Sequence, residues 1–210
     1  MEQVFIKMNQ GINWGNDPRP YFLLTVLGII LYLVLDIIAQ LLPPHYSPIT
    51  QAESLLAVGP YGYIMTVNFL IRGLLSFSFI TGFIITVYRE KSRYKVGLVL
   101  LGLWSIGAII LAFFPADVNL PITLHGTIHL ITALTAFISG SLGILILSIS
   151  MRTDNRFESI IKYVLPLSIS SVICLALLPV IVFGLIERIF IASVLLWMLI
   201  ISIYLVNYKN

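Results

Sequence analysis

Six stretches of this chain stay apolar for about twenty residues each, the length an α-helix needs to cross a bilayer core about 30 Å thick. They run over residues 21–42, 62–88, 95–114, 124–150, 163–183 and 188–207. In lipid a backbone must satisfy its own hydrogen bonds, and long apolar runs without strand alternation do so only as helices. The expected fold is therefore all-α, a six-helix transmembrane bundle forming one integral membrane domain over residues 1–210. Pro43-Pro44 closes the first run and Pro115 the third, while Gly184 suits a C-terminal cap on the fifth. Soluble domains are roughly 25% charged. This chain is 10% charged and 59% hydrophobic, so no hydrophilic stretch is long enough to fold by itself.

Lys and Arg in short loops set orientation. Lys7 and Arg19 precede the first run. Arg89, Lys91, Arg93 and Lys95 follow the second, Arg152, Arg156 and Lys162 follow the fourth, and Lys209 follows the sixth. With six alternating helices, ten of the twelve basic residues fall on one side. Both termini are expected in the cytoplasm, and the protein is expected to be a multi-pass protein of the cell membrane. The net charge of +3 is spread over these connectors, so it is an orientation signal and no nucleic-acid partner is implied. The expected partner is the lipid bilayer. The first run begins too late and runs too long for a cleavable signal peptide, and reads as a helix that also targets the chain. Cys174 lies mid-span and reads as a packing residue. No internal repeat is visible.

The outer side is chemically richer. Its first loop, residues 43–61, holds Pro43, Pro44, Pro48 and Pro60, and residues 51–58 between them fit a short interfacial helix. The second runs from Pro115 to Thr123, and the third is read as a tight turn at Gly184–Glu187. Asp36, His45, Glu53, Arg72, Asp117, His125, His129, Glu187 and Arg188 all fall in or just inside this side. At 1.5 Å per residue, Asp36 lies roughly 9 Å below the outer end of its helix and Arg72 roughly 15 Å. A lone charge at such depth costs about 2.5–3.5 kcal/mol on insertion scales. Asp36 is therefore the expected partner of Arg72, with Asp117 or Glu187 as the other acids in reach; the alternative is an arginine that snorkels outward.

His125 and His129 are four residues apart, one turn of one helical face. That spacing suits two ligands to zinc or another divalent metal, with Asp117, His45 or Glu53 as a third. The glutamate that follows the first histidine in zinc-protease helices is replaced by Gly126. Interfacial hydrogen bonding is the plainer role for such histidines. A single outer haem on His129 and His45 is a further possibility. The inner half has no histidine, so a second haem is not expected.

Several residues read as structure. Gly97, Gly102, Gly107, Ala108, Ser139, Gly140 and Gly143 let two helices approach closely. Ser76 and Ser78 are expected to bond their own helix backbone. Pro166 and Pro179 are expected to kink the fifth helix, Trp104 to lie in the core, and Tyr61, Tyr63, Tyr88, Tyr94 and Tyr208 to form interfacial belts.

Two segments carry a resemblance. One is Gly59, Pro60, Tyr61, Gly62 and Tyr63 running into Asn68, Phe69, Arg72, Gly73 and Leu74. The other is Phe114, Pro115, Ala116 and Asp117, then Leu124, His125, Gly126 and His129. Together they resemble a prokaryotic membrane family known as domain of unknown function 998, over most of the chain. The resemblance implies a six-helix membrane protein and no particular reaction. It marks Pro115, Asp117, His125, Gly126 and His129 as motif residues.

Three functional readings follow. The first is a structural or accessory protein, or a small-ligand binder, built on a network of Asp36, Arg72, Glu187, Arg188, His45 and Glu53. The alternative is a metal-dependent hydrolase or transferase acting on lipid at the outer leaflet, with Asp117, His125 and His129 as catalytic and metal-binding candidates. The second alternative is a single-haem redox protein.

Overall fold

Apolar runs of this length become helices because only a helix pairs nearly every backbone group within the segment. The computed structural model describes residues 17–87, 91–118, 121–178 and 182–208. Among them are six α-helices: α1 Arg19–Leu41, α2 Gly62–Thr86, α3 Lys91–Phe113, α4 Leu124–Met151, α5 Ile161–Leu177 and α6 Phe183–Asn207. Two 3₁₀ turns, Glu53–Ala57 and Asn155–Phe157, complete the regular structure, and no strand is present among the described residues. Five helices, α1, α2, α3, α4 and α6, are long and apolar enough to cross a membrane; α5 is shorter, at 17 residues. Tyr88, Pro179, Lys7, Arg89 and Lys209 lie outside the described residues.

Each helix packs on its neighbour in sequence, and α6 returns to pack on α1, closing a ring. α6 also touches α4 across the middle. The centre is aromatic: Phe79 lies 5.4 Å from Trp197, and Phe137 lies 4.8 Å from Phe190. Trp104 is buried there, as expected, and the Trp197 indole donates to Ser148 Oγ at 2.8 Å. The outside is greasy. Leu27, Ile30 and Ile37 of α1 and Leu130, Ile131 and Leu134 of α4 are all more than half exposed. A water-facing surface rarely carries contiguous apolar area of this kind, and with the five long helices it marks a multi-pass membrane protein.

Four local expectations change. α6 starts at Phe183 rather than at residue 188, so Gly184 does not cap α5 and Gly184–Glu187 is no turn. Gly184 is needed where the first turn of α6 meets the α1–α2 loop: a Cβ there would fall 2.3 Å from the Gln51 carbonyl oxygen. Tyr94 is fully buried against Phe83 and Phe157, not in an interfacial belt. Ser76 bonds its own helix at the Arg72 carbonyl, but Ser78 reaches across to the Tyr21 carbonyl of α1. Along the α3–α4 seam Gly97 and Gly143 meet closely, whereas Gly102 faces open space. Pro166 lies inside α5.

Opposite ends of the ring carry different polar structures. At one end Asp154 gathers the α4–α5 connection. It accepts from Arg156 Nε at 2.9 Å and from the Tyr94 hydroxyl at 2.6 Å. Arg156 in turn donates to the Thr86 carbonyl at 3.0 Å, and Tyr204 donates to the Arg156 carbonyl at 2.6 Å. Burial alone would raise the Asp154 carboxyl, but the hydrogen bonds from Arg156 and Tyr94 outweigh it and hold it down to about 2.

A polar cavity at the other end of the bundle

The loop after α1 folds inward instead of lying flat at an interface. Gln51 N donates to the Ser47 carbonyl at 2.9 Å, Ser47 N donates to Gln51 Oε1 at 2.7 Å, and Leu185 N donates to the Ile49 carbonyl at 2.9 Å. Arg188 stakes the loop to α6. Its Nη1 donates to the carbonyls of Pro48 at 3.0 Å and Gly184 at 3.2 Å, and its Nη2 to the Tyr46 hydroxyl at 2.6 Å. Burial pushes the Tyr46 hydroxyl up to about 12, against the opposing pull of the Arg188 guanidinium, so Tyr46 remains a neutral phenol. The result is a plug: the 3₁₀ turn packs on α2 and α6, and Glu53 at its start is only 3% exposed.

Glu53 is the hub. Its backbone N–H donates to Glu187 Oε2 at 2.7 Å. Its carboxylate accepts a short hydrogen bond from the Tyr32 hydroxyl of α1 and pairs with Arg72 Nη1 at 3.5 Å. Arg72 is 1% exposed, and its guanidinium lies 4.9 Å from the ring centres of both Phe69 and Trp104. Those cation–π contacts help hold the buried charge in place. The partner of Arg72 is thus Glu53, not Asp36, Asp117 or Glu187. Asp36 stands at the margin, half-buried, accepting from Gln40 Nε2 at 2.5 Å, with Glu53 and Arg188 as its charged neighbours.

The second motif builds an adjoining latch. Asp117 accepts from Thr123 N at 2.6 Å and from Thr123 Oγ1 at 2.9 Å, while Thr123 Oγ1 caps α4 by accepting from Gly126 N at 3.1 Å. This is a carboxylate at a helix N-terminus, where the helix dipole favours it. Gly126 is required here, because a Cβ would fall 1.9 Å from Asp117 Oδ2. One turn on, His129 Nδ1 lies 2.7 Å from the Phe114 carbonyl. A carbonyl only accepts, so Nδ1 carries the hydrogen, and Nε2 of the neutral ring is left with a lone pair. His125 points elsewhere: it is exposed, its ring 5.3 Å from that of Phe114. His45 is also exposed and lines a separate cavity of about 280 Å³ between the α1–α2 loop and Val118.

A family described as protein of unknown function, DUF998, matches residues 26–204. The chain belongs to this family. The matched DUF998 segment contains every site residue named above, from Asp36 to Arg188. No curated protein and no solved structure matches the chain.

Between plug and latch in this DUF998 chain lies a cavity of about 240 Å³. Glu53, Arg72, Asp117, His129 and Glu187 line it, together with Phe69, Leu111, Leu130, Ala133, Phe137 and Phe183. His125 and His45 take no part in it. Among the described residues no three His, Cys, Asp or Glu side chains gather as metal ligands would. Asp117 is held by Thr123, and the two histidines point apart. His129 and His45, the pair considered for haem, line different cavities.

Three contributors were not picked out from the sequence. Tyr32 is one turn before Asp36 on α1, a spacing that signals a shared face. Trp104 was assigned to the core without its role beneath Arg72. Tyr46 carries no sequence signal, because its position depends wholly on how the loop docks.

Proposed function

We propose that this protein is a membrane-embedded binder of a small ligand, held in the polar cavity and entered from the side opposite the cytoplasm. One observation carries the reading. Glu187 and His129, 4% and 6% exposed, each present to the cavity an acceptor that the protein leaves unused, Oε1 of Glu187 and Nε2 of His129. Neither atom is among the fully buried unpartnered ones, so both keep open space beside them in which a ligand can meet them. Polar groups converging on a concave, mostly apolar space are the usual mark of a ligand site. The outward orientation is supported by the ten Lys and Arg residues that fall on the other side.

The test is co-purification. Native mass spectrometry of the detergent-solubilised protein should reveal a small-molecule adduct. Ala133→Phe, which fills the cavity, should lose the adduct while keeping a similar melting temperature. If the wild type carries no adduct and no member of a mixed metabolite panel raises its melting temperature, the binding reading fails and a purely structural role replaces it.

A further inference from the structure

We propose that the ligand of this cavity is a small organic cation, an ammonium group on a short apolar body. The inference rests on the binding reading above and adds the ligand's chemical class.

Charge balance comes first. Glu53, Asp117 and Glu187 face the cavity against the single guanidinium of Arg72. Asp36 and Arg188 stand behind the plug and add one charge of each sign. Carboxylates therefore exceed guanidiniums by two, one of them Asp117, which is half-buried and already met by Thr123 and the start of α4. Uncompensated charge at this depth is expensive, and either a proton on a carboxyl group or a bound cation must offset it.

Hydrogen-bonding capacity points the same way. Glu187 Oε1 and His129 Nε2 are both acceptors without a donor among the described residues. Arg72 is already paired to Glu53 and stacked on two rings, and its Nε is buried without a partner. A ligand that satisfies Glu187 and His129 must donate.

The remaining wall selects an organic cation over a bare metal ion. Phe137 and Phe183 line it beside Phe69, whose ring already holds Arg72, and aromatic rings attract ammonium groups lying within about 6 Å. The described residues provide no three-ligand metal set. A volume of 240 Å³ lies below the roughly 300–1,000 Å³ of drug-sized pockets, so the ligand is compact.

The experiment uses three probes of similar shape, 2-phenylethylamine, 2-phenylethanol and phenylacetate, on the full chain in detergent near neutral pH. Calorimetry and thermal melting read out binding. The amine should bind saturably and about tenfold tighter than the alcohol, as a charge-assisted hydrogen bond provides, and phenylacetate should not compete. Glu187→Gln should weaken the amine about tenfold and leave the alcohol unchanged. The amide oxygen of that variant still accepts from Glu53 N, so the plug stays docked. If the variant does not fold, the wild-type ranking of the three probes decides alone. Phenylacetate binding as tightly as the amine overturns the proposal and makes Arg72 the ruling group. Equal binding of amine and alcohol overturns it as well. In either case, loss of binding in Ala133→Phe leaves the cavity standing as a ligand site. If none of the three binds, the cation proposal falls, and the co-purification result separately decides the fate of the binding reading.

Discussion

Arg72 shows how a single residue organises this end of the molecule. It is among the largest fully buried side chains, and among the described residues its charge pairs with Glu53. Removing one member of a buried pair leaves the other unpaired, at roughly 3–5 kcal/mol, whereas replacing both by apolar or neutral groups is often tolerated. Arg72→Met is thus expected to lower the melting temperature sharply, and the double variant Arg72→Met/Glu53→Gln to recover much of the loss. Asp36→Asn should be milder, because Asp36 is half-buried and accepts from the neutral Gln40 rather than pairing with a buried guanidinium. Equal damage from Asp36→Asn and Arg72→Met in a melting assay would return the pairing to Asp36. Gly126 follows the same logic on a smaller scale, since the space its missing Cβ leaves is occupied by the Asp117 carboxylate.

At the scale of elements, the connections do more than join helices. The α1–α2 loop is drawn into the bundle by Arg188 and Glu53, and the α4–α5 connection is held by Asp154. Asp154 carries a pH signature. Its folded carboxyl sits at about 2, below an unperturbed aspartate near 3.9. The bound proton is therefore disfavoured in the folded state. The stabilisation is complete above the unfolded value and is lost as pH falls from about 4 through about 2. Melting curves between pH 5 and 2 should show this loss in the wild type, and Asp154→Asn should be less stable at pH 5 and flatter across that window. A wild-type curve that runs parallel to the variant's would remove Asp154 from the account.

For the whole molecule, ring closure of α6 on α1 brings residues far apart in the chain to one cavity. Topology is testable directly. In a Cys174→Ser background, Tyr63→Cys at the cavity end should react with a membrane-impermeant maleimide in intact cells. Glu158→Cys at the Asp154 end should react only after lysis. The reverse pattern would invert the orientation and open the cavity to the cytoplasm. The sequence by itself determined that the chain is helical and how its apolar runs divide it, because bilayer thickness and backbone hydrogen bonding leave no other solution. It also pointed to the polar side: Asp117 and His129 were visible from spacing, and Glu53, Arg72 and Glu187 from charges set in apolar surroundings. Helical spacing reveals which face a residue occupies but not which neighbour it meets. Only the tertiary structure decided that Glu53 pairs with Arg72, that His125 turns away from His129, and that α6 begins early enough to carry Glu187 to the plug. Those outcomes depend on a proline-bounded loop whose docking is fixed by contacts more than a hundred residues away in sequence, and no local periodicity encodes such contacts.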